Sequence, residues 1–282
     1  MATCYRHPGR ETAVACSNCG RPICPDCMTT SPVGMRCPEC ARQTTKVRTV
    51  RTTAGTRGYE ATLVLIAINV IAFFVEGSTA LTLTGDANPN SSVMYHGLLF
   101  GPFIEVDHQY WRLVTSAFLH WDILHIALNM YVLYWVGRLL EPAIGRTRFV
   151  SIYFTGLLCG SLGVLIVSPT NATAGASGAI FGLMAAAFAE AHHRGVEMVR
   201  NQLVLLIVIN LALTFGISGI SIGAHIGGLI GGGLATLAFQ QSDRMRSPAL
   251  RRAGGYAACL ALSVIAVALS IVVANGIALG PG

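Results

Sequence analysis

Residues 220–239 read ISIGAHIGGLIGGGLATLAF. The stretch holds one ionisable side chain, His225, among apolar, small and uncharged residues. Twenty residues of helix rise about 30 Å, the thickness of a bilayer's hydrocarbon core. Gly228 and Gly232 follow His225 at i+3 and i+7, so the imidazole and a glycine stripe share one helix face. Faces of small residues allow two membrane helices to approach backbone to backbone. A second apolar stretch offers the matching surface: Thr173-Ala-Gly175-Ala-Ser177-Gly178 opens it, and Gly182 follows Gly178 by four. Glycine against glycine would bring Ser177 within reach of His225.

The rest of the chain agrees with a membrane protein. Of its 282 residues 53% are hydrophobic and only 11% charged, and the mean hydropathy is +0.58. Soluble domains carry about 25% charge, so these values exclude a disordered tail or an ordinary soluble enzyme. Seven helical spans are expected, at residues 59–75, 121–140, 149–167, 174–191, 202–217, 220–239 and 256–277. With this arrangement 18 of the 19 Lys and Arg fall on one side, and only Arg112 on the other. The positive-inside rule then sets the N-terminus in the cytoplasm and the C-terminus outside. No signal peptide is expected, because residues 1–58 lack an apolar run. The outer loop between Glu76 and His120 is too long for a plain connector and should have structure of its own.

Residues 1–40 have a different chemistry. They contain Cys4-x2-His7, Cys16-x2-Cys19, Cys24-x2-Cys27 and Cys37-x2-Cys40. A two-residue gap lets two side chains reach one tetrahedral metal from a tight turn, so the eight ligands suit two Zn²⁺ ions. Disulfides are the competing reading, and a reducing cytoplasm argues against them. Forty residues cannot bury a sufficient core, so metal would supply the folding free energy. Residues 41–58 are polar and basic and read as a flexible linker, leaving 59–278 as the membrane domain.

Polar groups within spans are costly and mark function by default. His125 and Asn129 lie four apart on one face of the second span. Interhelical hydrogen bonding is the plain alternative for that pair, and helix capping for Ser177. His225 sits roughly 8 Å below the outer end of its span, and Ser177 at most roughly 10 Å in. The set lies at one level near the outer face and matches a nucleophilic mechanism. Ser177 would attack, and His225 would take its proton and later give it to the leaving amine. Asn129, His125 and the Ser177 N–H would stabilise an oxyanion, each donor contributing on the order of 10²–10³ in turnover. No carboxylate is placed to orient His225, so a Ser–His dyad is expected, with no cofactor for catalysis.

Together these residues resemble the rhomboid intramembrane serine proteases. The pattern stands here as His120-x4-His125-x3-Asn129, Gly175-Ala-Ser177-Gly178 and Ala224-His225-x2-Gly228-x3-Gly232. Trp111-Arg112 and Glu141-x3-Gly145 add two further matches. The resemblance implies an all-α membrane fold, a six-helix core with a seventh C-terminal helix, and cleavage of transmembrane or membrane-anchored proteins near their outer end. It implies a structural role for His120. For Arg112 it implies shaping of the outer loop, against the alternative of a headgroup-level anchor. Phe181 stands where some members have Tyr, and can still pack on the imidazole. Residues 1–40 resemble two-zinc modules of the B-box kind, which interleave their ligand pairs, first with third and second with fourth. A cytoplasmic protein partner for that module is expected, and no nucleic acid. Two other functions compete with proteolysis: a catalytically silent relative that binds transmembrane clients, and a transporter. Such silent relatives usually lack the serine or the histidine, and no inverted repeat marks a transporter.

Overall fold

The computed structural model describes residues 2–31, 34–42, 58–76, 91–216 and 219–276, and the chain separates into two compact units, 1–55 and 56–282. Residues 43–57 of the expected linker and 77–90 of the expected outer loop lie outside the described residues.

The described residues of the first unit form short strands, turns and one short helix. Strands β1 (Ala2–Thr3) and β2 (Glu11–Thr12) pair antiparallel, as do β3 (Thr29–Ser31) and β4 (Gly34–Arg36). A 3-10 turn at Pro25–Cys27 and helix α1 (Pro38–Arg42) are its other described elements. Its buried interior consists of Cys4, Cys16, Cys24, Cys27, Cys37 and Cys40 around Ile23. An interior made largely of thiols contributes little hydrophobic stabilisation, consistent with a module that depends on ligation.

The second unit is helical: α2 (Glu60–Val75), the short α3 (Ser92–Gly97), α4 (Gly101–Glu105) and α5 (Arg112–Thr115), then α6 (Ile123–Ile144), α7 (Arg146–Val167), α8 (Ser177–His193), α9 (Glu197–Gly216), α10 (Ile222–Asp243) and α11 (Pro248–Gly276). A long helix stands at each of the seven expected spans. Five of them, α6, α7, α9, α10 and α11, are long and apolar enough to cross a membrane. Helix α2 is apolar but has 16 residues, and α8 has 17.

Local chemistry sets the helix ends. The Asp122 carboxylate accepts the His125 N–H and caps α6, and Ser221 accepts the Ala224 N–H and caps α10. Gly145, at φ +90°, divides α6 from α7 in a conformation that residues with a Cβ avoid. Glu141 is buried near the end of α6 and accepts the N–H groups of Ala61 and Thr62 and the Thr62 hydroxyl. This ties the start of α2 to α6 and satisfies helix donors that have no partner within α2. Gly137 leaves room for Thr62, since a Cβ there would collide with that side chain.

Several boundaries differ from the sequence reading; α7 begins at Arg146, and α6 and α10 run on to Ile144 and Asp243. Helix α8 begins at Ser177 rather than 174, because Thr173 pairs with Leu99 and Gly175 adopts φ +137°. Helices α9 and α11 begin earlier than hydropathy suggests, at Glu197 and Pro248, and take in the charged residues Glu197 and Arg200, and Arg251 and Arg252.

Helix α10 packs against α7, α8 and α11, and its contacts with α7 are the most extensive in the unit. Helix α9 leans mainly on α8 and has only Leu203 and Thr214 buried. Leu128, Tyr131, Leu205, Val208, Leu260 and Val264 remain exposed on α6, α9 and α11, as lipid-facing positions would be.

Candidate active site

The α8–α10 contact is made by main chain. A Cβ at Gly228 would collide with the Gly178 carbonyl, and one at Gly232 with Gly182. The glycine pairing expected from sequence is therefore present. A third helix joins it, which the sequence reading did not include. Gly156 of α7 meets Gly182, Gly160 meets Gly178 and Ala224, and Gly163 meets Gly223. Their spacing of 156, 160 and 163 is the same small-residue stripe that marked α10, so the signal was available.

This close packing brings Ser177 and His225 together. Ser177 opens α8, and its Oγ lies 2.7 Å from His225 Nε2. The Phe181 ring, one turn along α8, stacks on the imidazole with centroids 4.1 Å apart and planes 20° apart. The other imidazole nitrogen, Nδ1, lies 2.6 Å from the hydroxyl of Thr214 on α9. Thr214 was missed from sequence: one hydroxyl in an apolar helix reads as an ordinary back-bonded threonine. His225 is 6% exposed, whereas Ser177 is only partly buried and can be reached.

His125 and Asn129 approach from α6. A Cβ at Gly175 would sit 2.8 Å from His125 Cε1 and Nε2 and 3.9 Å from Asn129 Nδ2. The two side chains thus border the main chain two residues before Ser177, beside the N-terminal N–H groups of α8. Gly175 N–H is fixed by the Ser116 carbonyl at 2.9 Å. His120 is fully buried, with its ring edge-on to His125 at 5.0 Å between centroids. Its contact is with His125 rather than with Ser177.

The outer loop has structure in residues 91–120, as its length required. Arg112 is fully buried within it. Its guanidinium donates to Gln109 Oε1 at 2.7 Å and to the carbonyls of Tyr95 and Leu98 at 2.8 and 2.7 Å, and lies over the Phe103 ring at 4.3 Å. These contacts join three stretches of the loop around the buried guanidinium. Trp111 is half exposed and donates its indole N–H to the His96 carbonyl.

The first unit gathers its ligands into two groups, Cys4, His7, Cys24 and Cys27, and Cys16, Cys19, Cys37 and Cys40. Within each group the ligand atoms lie within 4.8 Å of one another, in the interleaved pairing. Tetrahedral zinc with Zn–S of about 2.3 Å requires S···S near 3.8 Å. Cys19 and Cys37 Sγ are 3.8 Å apart, and His7 Nδ1 is 3.3 and 3.4 Å from Cys24 and Cys27 Sγ. All nine cysteines are free thiols. The Cys37 N–H donates to Cys16 Sγ at 3.3 Å, and this bond, with smaller ones from the Asn18 and Cys19 N–H groups, brings the Cys16 thiol down to about 6. Burial, with hydrogen bonds from Cys4 and Cys24, pushes Cys27 up to about 11. A cation is what would let such crowded thiols ionise together. The donor sets fit two zinc ions.

A mostly helical chain with five candidate membrane spans points to a multi-pass membrane protein. Residues 107–242 match the Rhomboid domain. The chain is 32% identical to Rhomboid protease GluP of Bacillus subtilis (strain 168) over 213 residues, 74% of this chain and 39% of that protein. It is 31% identical to RHOMBOID-like protein 7 of Arabidopsis thaliana over 51% of this chain and 48% of that one. It is 30% identical to Rhomboid-related protein 3 of Homo sapiens over 44% and 30%. The chain spans less than half the length of each of these relatives. Together the domain match and the relatives support the rhomboid family.

Proposed function

We propose that residues 59–278 form an intramembrane serine endopeptidase that cuts transmembrane or membrane-anchored proteins near the outer membrane face. The observation that carries this reading is the 2.7 Å contact between Ser177 Oγ and His225 Nε2, with Phe181 stacked on the imidazole. In the mechanism, Nε2 accepts the Ser177 proton as Oγ attacks the scissile carbonyl carbon. The carbonyl oxygen becomes an oxyanion, held by the Ser177 N–H, His125 and Asn129. His225 then passes the proton to the leaving amine, which departs and leaves an acyl ester on Ser177. Water, deprotonated by His225, attacks that ester and releases the second product.

The distribution of Lys and Arg supports an N-terminus in the cytoplasm and a C-terminus outside. Residues 1–40 form a structural module holding two zinc ions, one in each Cys/His group, and residues 41–58 link it to the protease domain. The zinc ions take no part in the peptide-bond chemistry. Co-expression with a panel of tagged single-span proteins, comparing wild type with Ser177→Ala and His225→Ala, tests the assignment. Cleavage by wild type alone is the expected result. Equal cleavage by either variant overturns it, and a fluorophosphonate probe that never labels Ser177 would favour the catalytically silent client binder.

A further inference from the structure

The histidine is held from both sides, and the second contact has no role in the dyad itself. Thr214 Oγ1 lies 2.6 Å from His225 Nδ1 and also 2.7 Å from the carbonyl oxygen of Asn210, one turn back along α9. A hydroxyl has one proton, a carbonyl has none, and a neutral imidazole has one shared between two sites. Only one assignment makes every contact attractive. The Thr214 proton goes to the Asn210 carbonyl. Thr214 Oγ1 then accepts from Nδ1–H, and Nε2 is left with a free lone pair facing the Ser177 hydroxyl. In the reverse assignment the Thr214 proton goes to Nδ1, and two acceptor oxygens face each other at 2.7 Å. Nε2–H would then point at Ser177, and the histidine could not act as its base.

We propose that Thr214 is a positioning residue that fixes the imidazole of His225 in the Nδ1–H tautomer and so makes Nε2 the base for Ser177. The inference rests on the serine–histidine reading above. It supplies the orienting group that a dyad without a carboxylate otherwise lacks, and draws it from a neutral hydroxyl. A neutral acceptor satisfies Nδ1–H without burying a second charge beside the imidazole. The contribution also comes from an unusual place. Thr214 is one of only two buried residues on α9, the other being Leu203 near the opposite end. The catalytic imidazole is therefore one of the main things α9 grips.

The test uses the full-length protein in detergent, with ¹⁵N-labelled histidine and a reporter transmembrane substrate. His225→Ala identifies the His225 signals. Wild type should have Nδ1 protonated and Nε2 bare. Thr214→Val keeps the side-chain shape and removes the hydroxyl. It should lower kcat and the rate of fluorophosphonate labelling by about tenfold, the upper range for one hydrogen bond, with KM unchanged. Thr214→Ser should restore both to near the wild-type value. Should Thr214→Val fail to fold, Thr214→Ala and the wild-type tautomer carry the test. Full kcat in Thr214→Val or Thr214→Ala overturns the proposal while leaving the dyad in place, and a wild-type Nε2–H tautomer overturns the proposal whatever the kcat of the variants. Undiminished cleavage by Ser177→Ala is a separate outcome that overturns both.

Discussion

The Phe181 ring lies nearly parallel to the imidazole of His225, with 4.1 Å between their centroids. The stack fills one side of the base and restricts its rotation about χ2. Such pairs contribute about 0.5–1.5 kcal/mol beyond their buried area. Phe181→Leu should therefore cut cleavage roughly two- to tenfold, mostly in kcat, while Phe181→Tyr should stay close to wild type. Steady-state cleavage of a reporter substrate measures both.

The glycine contacts between α8 and α10 should tolerate no side chain. Gly228→Ala and Gly232→Ala force a methyl group into backbone, and overpacking of this kind costs about 1–3 kcal/mol. Both should lower the melting temperature in detergent and suppress probe labelling of Ser177. Gly233→Ala is the control, because the nearest atom to its new Cβ would be the Ala185 Cβ at 3.8 Å. It should melt at or above the wild-type temperature.

Arg112 should prove structural. Arg112→Ala would leave the carbonyls of Tyr95 and Leu98 without their donor, at about 1–3 kcal/mol if they stay buried. Lys cannot reproduce the fork, so Arg112→Lys should recover only part of the loss. Limited proteolysis should cut the 91–120 loop faster in both variants. Unchanged melting and unchanged proteolysis in Arg112→Ala would contradict the assignment.

Metal analysis of the purified protein should give two zinc ions per chain. Cys37→Ser should reduce this to one, and a Cys24→Ser/Cys37→Ser double variant to none. Removing residues 1–58 should leave cleavage in detergent within about twofold of wild type, because structural zinc contributes folding energy rather than chemistry. A large loss of cleavage would make the module a regulator.

What could be read from sequence is what helical spacing encodes. Ser177, His225, Gly178, Gly182, Gly228 and Gly232 fall on facing stripes, so their contact follows from period and from the absence of bulk. The interleaved cysteine pairing came from the family resemblance, since spacing alone leaves the partners open. Thr214 was not legible because its partner is remote in sequence and its residue type is common in apolar helices. Arg112 was ambiguous for another reason. Its partners, the carbonyls of Tyr95 and Leu98, are main-chain groups in a loop without periodicity. Helix α8 was placed three residues too early because hydropathy cannot register the Leu99–Thr173 bridge or the turn at Gly175.

The glycine seam has one more effect. Where main chain rests on main chain there are no rotamers to choose between. The gap separating the two backbones that carry nucleophile and base is thus ruled by covalent geometry and helix pitch, while Phe181 and Thr214 set how the imidazole is turned across it. Warmth or a change of surrounding lipid can reshuffle the periphery of this molecule and still find that gap the same width.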